Sequence, residues 1–319
     1  MATKSPLILL ALVLACSPCY AAFTIADGRL VTVEQAMLKT SQCHFEKGWQ
    51  AIRQRDWDTA IRQYDIIISN YPESPEAHGS LYFLAICNYY ISEFDIANEY
   101  FSAYLKSPYG RDYFESAVEY KLAIANQFSK GERRHFFGKK YLPCWLSAED
   151  QAIELYDEVS TTLPCHDLAT WALYCKGRLL WKMGRYYESI DTLQQLTRRF
   201  PKHELAPESY VTISYIYLNQ CEKELHNSDL LAFAQINMRK FEQDFPREER
   251  LITVEKNLLG MQELYAKSLY ETGEYYERKE ESRAACIYYK NVLDRYPETC
   301  MADQSRNRLS VIQKCPEKI

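Results

Sequence analysis

Glycine is scarce in this chain, 10 residues in 319, and no stretch alternates apolar and polar residues over a strand's length. Together these two absences argue against a sheet protein and predict an all-α fold. Positive charge is not in excess: the net charge is −5 and the pI about 5.8, which excludes a broadly basic, nucleic-acid-binding surface. No apolar run reaches the roughly 20 residues needed to span a bilayer. The longest, Leu7 to Ala15, has nine. The sequence holds no phosphate loop, no nucleophile elbow and no HExxH, so neither an enzyme nor a cofactor is expected. The six histidines are scattered, and no Cys/His cluster has zinc-ligand spacing, so no metal is expected either. Cysteine is the exception to this sparseness, with eleven residues. Two (Cys16 and Cys19) lie in the N-terminal segment, and the other nine form no CxxC pair. An odd number cannot pair completely, and most are expected to be buried small apolar residues.

What the chain does have is a recurring skeleton. A small residue is followed four positions later by a large apolar or aromatic one, three positions after that by another apolar one, and then by a proline. The copies are Ala60/Tyr64/Ile67/Pro72, Ala97/Phe101/Tyr104/Pro108, Ala152/Tyr156/Val159/Pro164, Ser189/Leu193/Leu196/Pro201, Ala234/Met238/Phe241/Pro246 and Ala285/Tyr289/Val292/Pro297. Offsets of four and three place these side chains on one helical face. Proline ends the helix, because it lacks a backbone donor and clashes with the preceding turn. Counting back from Pro72 in a 34-residue frame puts Gly48 at position 8, Ala60 at 20, Tyr64 at 24 and Pro72 at 32. These are signature positions of the tetratricopeptide repeat. The spacing predicts a right-handed α-solenoid of about six tetratricopeptide-like helix pairs. The segment Ala302 to Gln313 would form a capping helix over the last apolar face.

The expected organisation follows in chain order. Residues 1–22 read as an export signal and 23–35 as a polar tether. Repeats 1 and 2 occupy 36–110. Repeat 3 occupies 111–166, with an insertion at 129–147. Repeats 4 and 5 occupy 167–248, and repeat 6 and the cap 249–319. Prolines 36, 56, 37, 45 and 51 residues apart make the array irregular.

In the export signal, Lys4 supplies the positive n-region ahead of the apolar run. Val13-Leu14-Ala15-Cys16 resembles the lipobox of bacterial lipoproteins, in which acylated Cys16 would anchor the chain to lipid. The competing reading is signal peptidase I cleavage after Cys19-Tyr20-Ala21. Either places the mature chain outside the cytoplasm, where disulfides are permitted.

The first helices of the early repeats would carry an aromatic groove: Phe45, Trp49 and Ile52, with Arg53 beside them, then Tyr82, Ile86, Tyr89 and Tyr90, then Tyr113 and Tyr120. Such a surface suits an extended peptide rich in apolar side chains, although some of these rings must also serve the core. Phe45, Trp49 and Phe83 occupy positions where a chaperone-type carboxylate clamp needs Lys and Asn. The insertion interleaves Lys130, Arg133, Arg134, Lys139 and Lys140 with Phe136, Phe137, Tyr141 and Trp145. It is either a contact for lipid headgroups or an acidic partner, or a solvated loop tucked onto its own repeat by the aromatics.

Several segments together resemble BamD, the tetratricopeptide lipoprotein family of the outer-membrane β-barrel assembly machinery. They are Gly273-Glu-Tyr-Tyr276, Ala284-Ala285 and Val292-Leu-Asp-Arg-Tyr-Pro-Glu-Thr299, with Asp58-Thr-Ala-Ile61, Asn70-Tyr-Pro72 and Phe136-Phe-Gly138. The resemblance covers most of residues 36–313, although this chain has six units where the family has five. It implies attachment to the periplasmic face of the outer membrane. It also implies docking on a BamA-like barrel-inserting subunit and on other assembly lipoproteins, for which Tyr275, Tyr276, Arg283 and Arg295 are candidates. Unfolded outer-membrane proteins would be the substrate, with no nucleic-acid partner. The alternative is a soluble periplasmic repeat protein coordinating cell division or peptidoglycan and envelope assembly.

Overall fold

A computed structural model describes residues 23–26, 29–32, 41–108, 112–135, 143–224, 227 and 229–314. Among them are thirteen α-helices: α1 Ser41–Arg53, α2 Trp57–Asn70, α3 Pro75–Tyr90, α4 Phe94–Lys106, α5 Phe114–Lys130, α6 Glu149–Thr162, α7 Asp167–Lys182, α8 Tyr186–Arg199, α9 Leu205–Lys223, α10 Asp229–Asp244, α11 Leu251–Arg278, α12 Ser282–Arg295 and α13 Cys300–Lys314. The architecture is all-α, with consecutive helices packed as the pairs α1/α2, α3/α4, α7/α8, α9/α10 and α11/α12, followed by α13.

Four short strands depart from the all-helical expectation. The segment expected as a tether holds β1 Phe23–Ala26 and β2 Arg29–Thr32, paired antiparallel with Phe23 opposite Thr32 and Ala26 opposite Arg29. The insertion holds β3 Arg133–His135, paired with β4 Cys144–Ser147.

The recurring skeleton is the core of each pair. Of its eighteen helical residues, seventeen are buried, most of them completely; Met238 alone is partly buried, packing beside Phe241 and Val254. The large residue of the second helix lies across the small residue of the first, sixteen positions earlier. A Cβ on Gly48 would stand 2.7 Å from the Tyr64 ring, one on Gly177 would stand 2.8 Å from Leu193, and one on Gly273 would stand 2.7 Å from the Tyr289 ring. Glycine at these three positions is therefore a packing requirement, since it lets Tyr64, Leu193 and Tyr289 rest against helix backbone.

Five helices, α1, α3, α5, α7 and α11, end in the same way. Arg55, Ser92, Gly131, Gly184 and Glu280 have φ of 59°, 65°, 110°, 78° and 63°. The next residue's N–H donates back to the carbonyl five positions earlier: Asp56 to Ala51, Glu93 to Asn88, Glu132 to Gln127, Arg185 to Leu180 and Glu281 to Tyr276. This is the Schellman ending, which satisfies carbonyls the helix leaves open. Helix starts are fixed locally as well: Asp56 caps α2 by accepting from the Thr59 N–H, and Pro75 opens α3 where its missing donor costs nothing.

The chain forms two compact units that divide within α5. The first comprises the chain to Ile124 together with Arg133–Leu146. Its core is Tyr64, Ile67, Leu84, Cys87, Phe101 and Ile124, all fully buried. The second comprises Ala125–Glu132 and Ser147 onward. Its main core runs through Leu193, Leu196, Ile213, Ile216 and Met261. A further cluster places Leu309 and Ile312 of α13 against Ala285, Tyr289 and Val292, so α13 covers the last apolar face. No helix among the described residues is long and apolar enough to cross a membrane.

Candidate peptide-binding groove

In the first unit, the end of α1, the start of α2, the middle of α3 and the beginning of α5 enclose a cleft of about 630 Å³. It is lined by Trp49, Ile52, Arg53, Arg55, Trp57, Tyr82, Phe83, Ile86, Tyr90, Tyr113 and Tyr120. The size is in the range of small-ligand and side-chain pockets. Seven of the eleven lining residues are aromatic, and none is acidic.

The rings are ordered against one another. Trp57 stacks on Tyr90 at 4.8 Å, Tyr82 stacks on Tyr113 at 4.4 Å, and Trp49 meets Phe83 edge-on at 5.3 Å. Below them Tyr120 stacks on Phe101 at 5.3 Å. The Tyr82 hydroxyl is 2.9 Å from Ser116 Oγ. Burial raises the pKa of Tyr82 and Tyr120 above the ordinary phenol value, so both stay neutral. Trp49, Tyr90 and Tyr113 keep 45%, 54% and 40% of their surface exposed, while Tyr82 and Phe83 keep 5% each. The floor is thus core and the rim is open.

Seven of the nine residues expected in the groove line this cleft: Trp49, Ile52, Tyr82, Ile86, Tyr90, Tyr113 and Tyr120. The structure places the other two elsewhere. Phe45 lies between Tyr64 and Phe83, at 5.6 Å from each ring, and lines a second cleft beside Pro72 and His78. Tyr89 packs against Phe94 and Tyr120 at 5.5 and 5.1 Å. Trp57, Phe83 and Arg55 were not among the expected groove residues. Trp57 belongs to the second helix of its pair, which the expectation for a surface of first helices leaves out.

The four candidate docking residues do not form one patch. Tyr275 is exposed under the Lys279 ammonium, which sits 4.6 Å from its ring centre. Tyr276 is partly buried, stacked on Tyr288 at 5.3 Å and packed on the C-terminal core, so it serves packing. Arg283 and Arg295 are both exposed, at opposite ends of α12. Twelve residues of helix separate them by roughly 18 Å.

In the insertion, Phe136, Phe137, Lys139, Lys140 and Tyr141 lie outside the described residues, as does Cys16 with the rest of 1–22. Trp145 is 72% exposed, so this aromatic does not tuck the loop down. The contact that holds β3 is one the sequence does not reveal. His135 is buried with Nδ1 2.9 Å from Asp95 Oδ2 and Nε2 3.3 Å from Glu93 Oε2, and its backbone N–H donates to Asp95 at 2.9 Å. These three are ligand-type side chains within 4.8 Å of one another, although no metal cluster was expected. The imidazole sits between the carboxylates, one at each ring nitrogen, and so works as a clamp from the insertion to the start of α4.

None of the seven cysteines at Cys43, Cys87, Cys165, Cys175, Cys221, Cys286 and Cys300 is in a disulfide. Only Cys87 and Cys221 are fully buried, and Cys165 and Cys300 are exposed, against the expectation that most would be core residues.

The paired helices, the close crossings at Gly48, Gly177 and Gly273 and the shared Schellman endings make this a helical-repeat protein. The tetratricopeptide repeat family model matches residues 35–74, 171–203 and 267–299. These contain Gly48, Gly177 and Gly273, the three crossings where glycine admits the partner side chain. No curated protein matches the chain. Among solved structures it is similar to MamA (from residue 41 to the end) of Desulfovibrio magneticus RS-1, at 14% identity, over 71% of this chain and 99% of that one, with a TM-score of 0.35. YrrB, described as a TPR protein with an unusual peptide-binding site, is 12% identical over 68% and 92%, with a TM-score of 0.37. The apo form of RapI is 15% identical over 87% and 79%, with a TM-score of 0.40.

Proposed function

We propose that this protein is a scaffold that binds protein segments through the first-unit cleft and catalyses no bond-making step. The observation that carries the reading is the open aromatic rim of Trp49, Tyr90 and Tyr113 over a fixed floor. An apolar guest side chain buried there contributes roughly 1.5–3 kcal/mol, so two or three anchors support a transient complex.

The fuller proposal is a lipoprotein, acylated at Cys16 and held to the periplasmic face of the outer membrane, that serves β-barrel assembly. It would receive unfolded outer-membrane proteins and dock on a BamA-like barrel-inserting subunit and companion lipoproteins. The export signal and the BamD-like segments support this. Affinity purification of a tagged, detergent-extracted copy is expected to recover the barrel-inserting subunit, and its absence would count against the assembly role. The second reading, a soluble periplasmic scaffold for division or envelope assembly, rests on the Cys19-Tyr20-Ala21 site. Labelling with radioactive palmitate separates the two: incorporation lost in Cys16→Ser supports the anchor, and an unlabelled wild type supports the soluble form.

A further inference from the structure

The polar groups of the cleft are as selective as its rings. Arg53 ends α1, and Arg55 occupies the left-handed position of the following turn, fixed by two backbone hydrogen bonds, Arg55 N–H to Ile52 and Asp56 N–H to Ala51. Both side chains are exposed, and neither forms an ion pair among the described residues. The nearest carboxylate in sequence, Asp56, is occupied in capping α2, accepting from the Thr59 N–H at 3.1 Å. The chain as a whole carries more acids than bases, 43 against 38, yet this cleft has two guanidinium groups and no carboxylate in its lining. Charge complementarity therefore identifies half of the ligand and the rings the other half.

The spacing sets how the two halves are joined. Trp49 and Arg53 are i and i+4 on α1, so they stand about 5–6 Å apart on one face. An extended peptide presents residues i and i+2 on one face about 6.5–7 Å apart. We propose that the cleft recognises an extended peptide bearing an aromatic-x-acidic motif, the ring seated at Trp49, Tyr90 and Tyr113 and the carboxylate on Arg53 and Arg55. This rests on the proposed use of the cleft as a peptide site and adds its sequence preference.

The test is fluorescence anisotropy on the full-length protein with four labelled peptides: Phe-x-Glu, Phe-x-Gln, Phe-x-Lys and Ala-x-Glu on one otherwise uncharged extended backbone. Phe-x-Glu is expected to bind best. Replacing Glu by Gln should weaken binding about fivefold or more, since two exposed pairs are lost, and the difference should shrink as salt is raised. Ala-x-Glu should not bind. The doubly reversed Arg53→Glu/Arg55→Glu variant should prefer Phe-x-Lys, and the Arg53→Gln/Arg55→Gln variant should bind all three Phe peptides alike. Both variants are exposed substitutions whose folding is checked by circular dichroism. Equal binding of the three Phe peptides to the wild type would overturn the acidic preference and leave the cleft as an aromatic peptide site. Failure of every Phe peptide to bind would overturn both.

Discussion

The sharpest test of the packing uses one substitution twice in one helix. Gly260 and Gly273 both lie in α11. In a helix interior, glycine to alanine gains about 0.8–1.0 kcal/mol by propensity alone. At Gly260 the new Cβ meets only Leu218 Cδ1, at 3.6 Å, an ordinary contact. At Gly273 it would stand 2.7 Å from Tyr289 Cε1 and 3.0 Å from Cδ1, roughly 1 Å inside the comfortable carbon–carbon separation. The ring cannot easily retreat. It is fully buried, and its hydroxyl donates to Glu277 at 2.8 Å, a carboxylate also held by Arg308. Overpacking of this kind costs about 1–3 kcal/mol, which cancels or outweighs the propensity gain. Gly260→Ala is thus expected to raise the thermal midpoint by about 2–4 °C. Gly273→Ala should leave it unchanged or lower it by up to about 8 °C, a net loss of roughly 0–2 kcal/mol. Circular dichroism melts of the two variants beside the wild type decide the matter. If Gly273→Ala stabilises as much as Gly260→Ala, the glycine-on-ring account of these crossings is wrong.

Three further outcomes are expected. The Tyr64 hydroxyl is buried without a hydrogen-bond partner among the described residues, whereas that of Tyr289 is bonded. Tyr64→Phe should therefore be neutral or stabilising, and Tyr289→Phe destabilising by about 1–2 kcal/mol, read from denaturant midpoints; the same sign at both sites would contradict this. His135→Ala removes the clamp on Glu93 and Asp95 and should speed protease cleavage within 133–147 while α1 to α4 stay protected; an unchanged cleavage rate would show that other contacts hold the insertion. Cys165 and Cys300 should react quickly with a thiol reagent in the native protein. Cys87, fully buried and with its thiol pKa pushed up to about 12 by that burial, should react only after unfolding; fast native labelling of Cys87 would refute its placement.

The six-fold skeleton was enough to read the helix pairs, because a small residue, a ring and an apolar residue at offsets of four and three can only meet on one helical face. Position 8 was legible for the same reason, and the structure supplies its measure in the contact each added Cβ would make. The turn residues were not: Arg55, Ser92 and Glu280 fill a left-handed position that glycine usually marks. The first hairpin had a local signal in the sequence, Asp27-Gly28 with Thr24-Ile25 before it and Val31-Thr32 after it, hidden by the lack of longer alternation. The groove was only partly legible, because α3 is apolar almost all round. Tyr82, Phe83, Leu84, Ala85 and Cys87 are all buried, so periodicity cannot say which ring faces the cleft and which faces the next helix. That is why Tyr89, on the same helix, packs on Phe94 and Tyr120 beside the site. The His135 clamp joins residues forty positions apart and has no sequence spacing to betray it.

If the cleft at Trp49 holds the partners of this protein, photocrosslinking will trap them there, with a benzophenone amino acid placed singly in the full-length protein at Trp49 in the cleft or at Tyr187, an 86% exposed residue of the second unit. In cell envelopes, position 49 is expected to give discrete adducts that an excess of the Phe-x-Glu peptide removes, and position 187 none that the peptide removes. Adducts at position 49 that persist with the peptide present, or none at all, would mean that partners bind elsewhere.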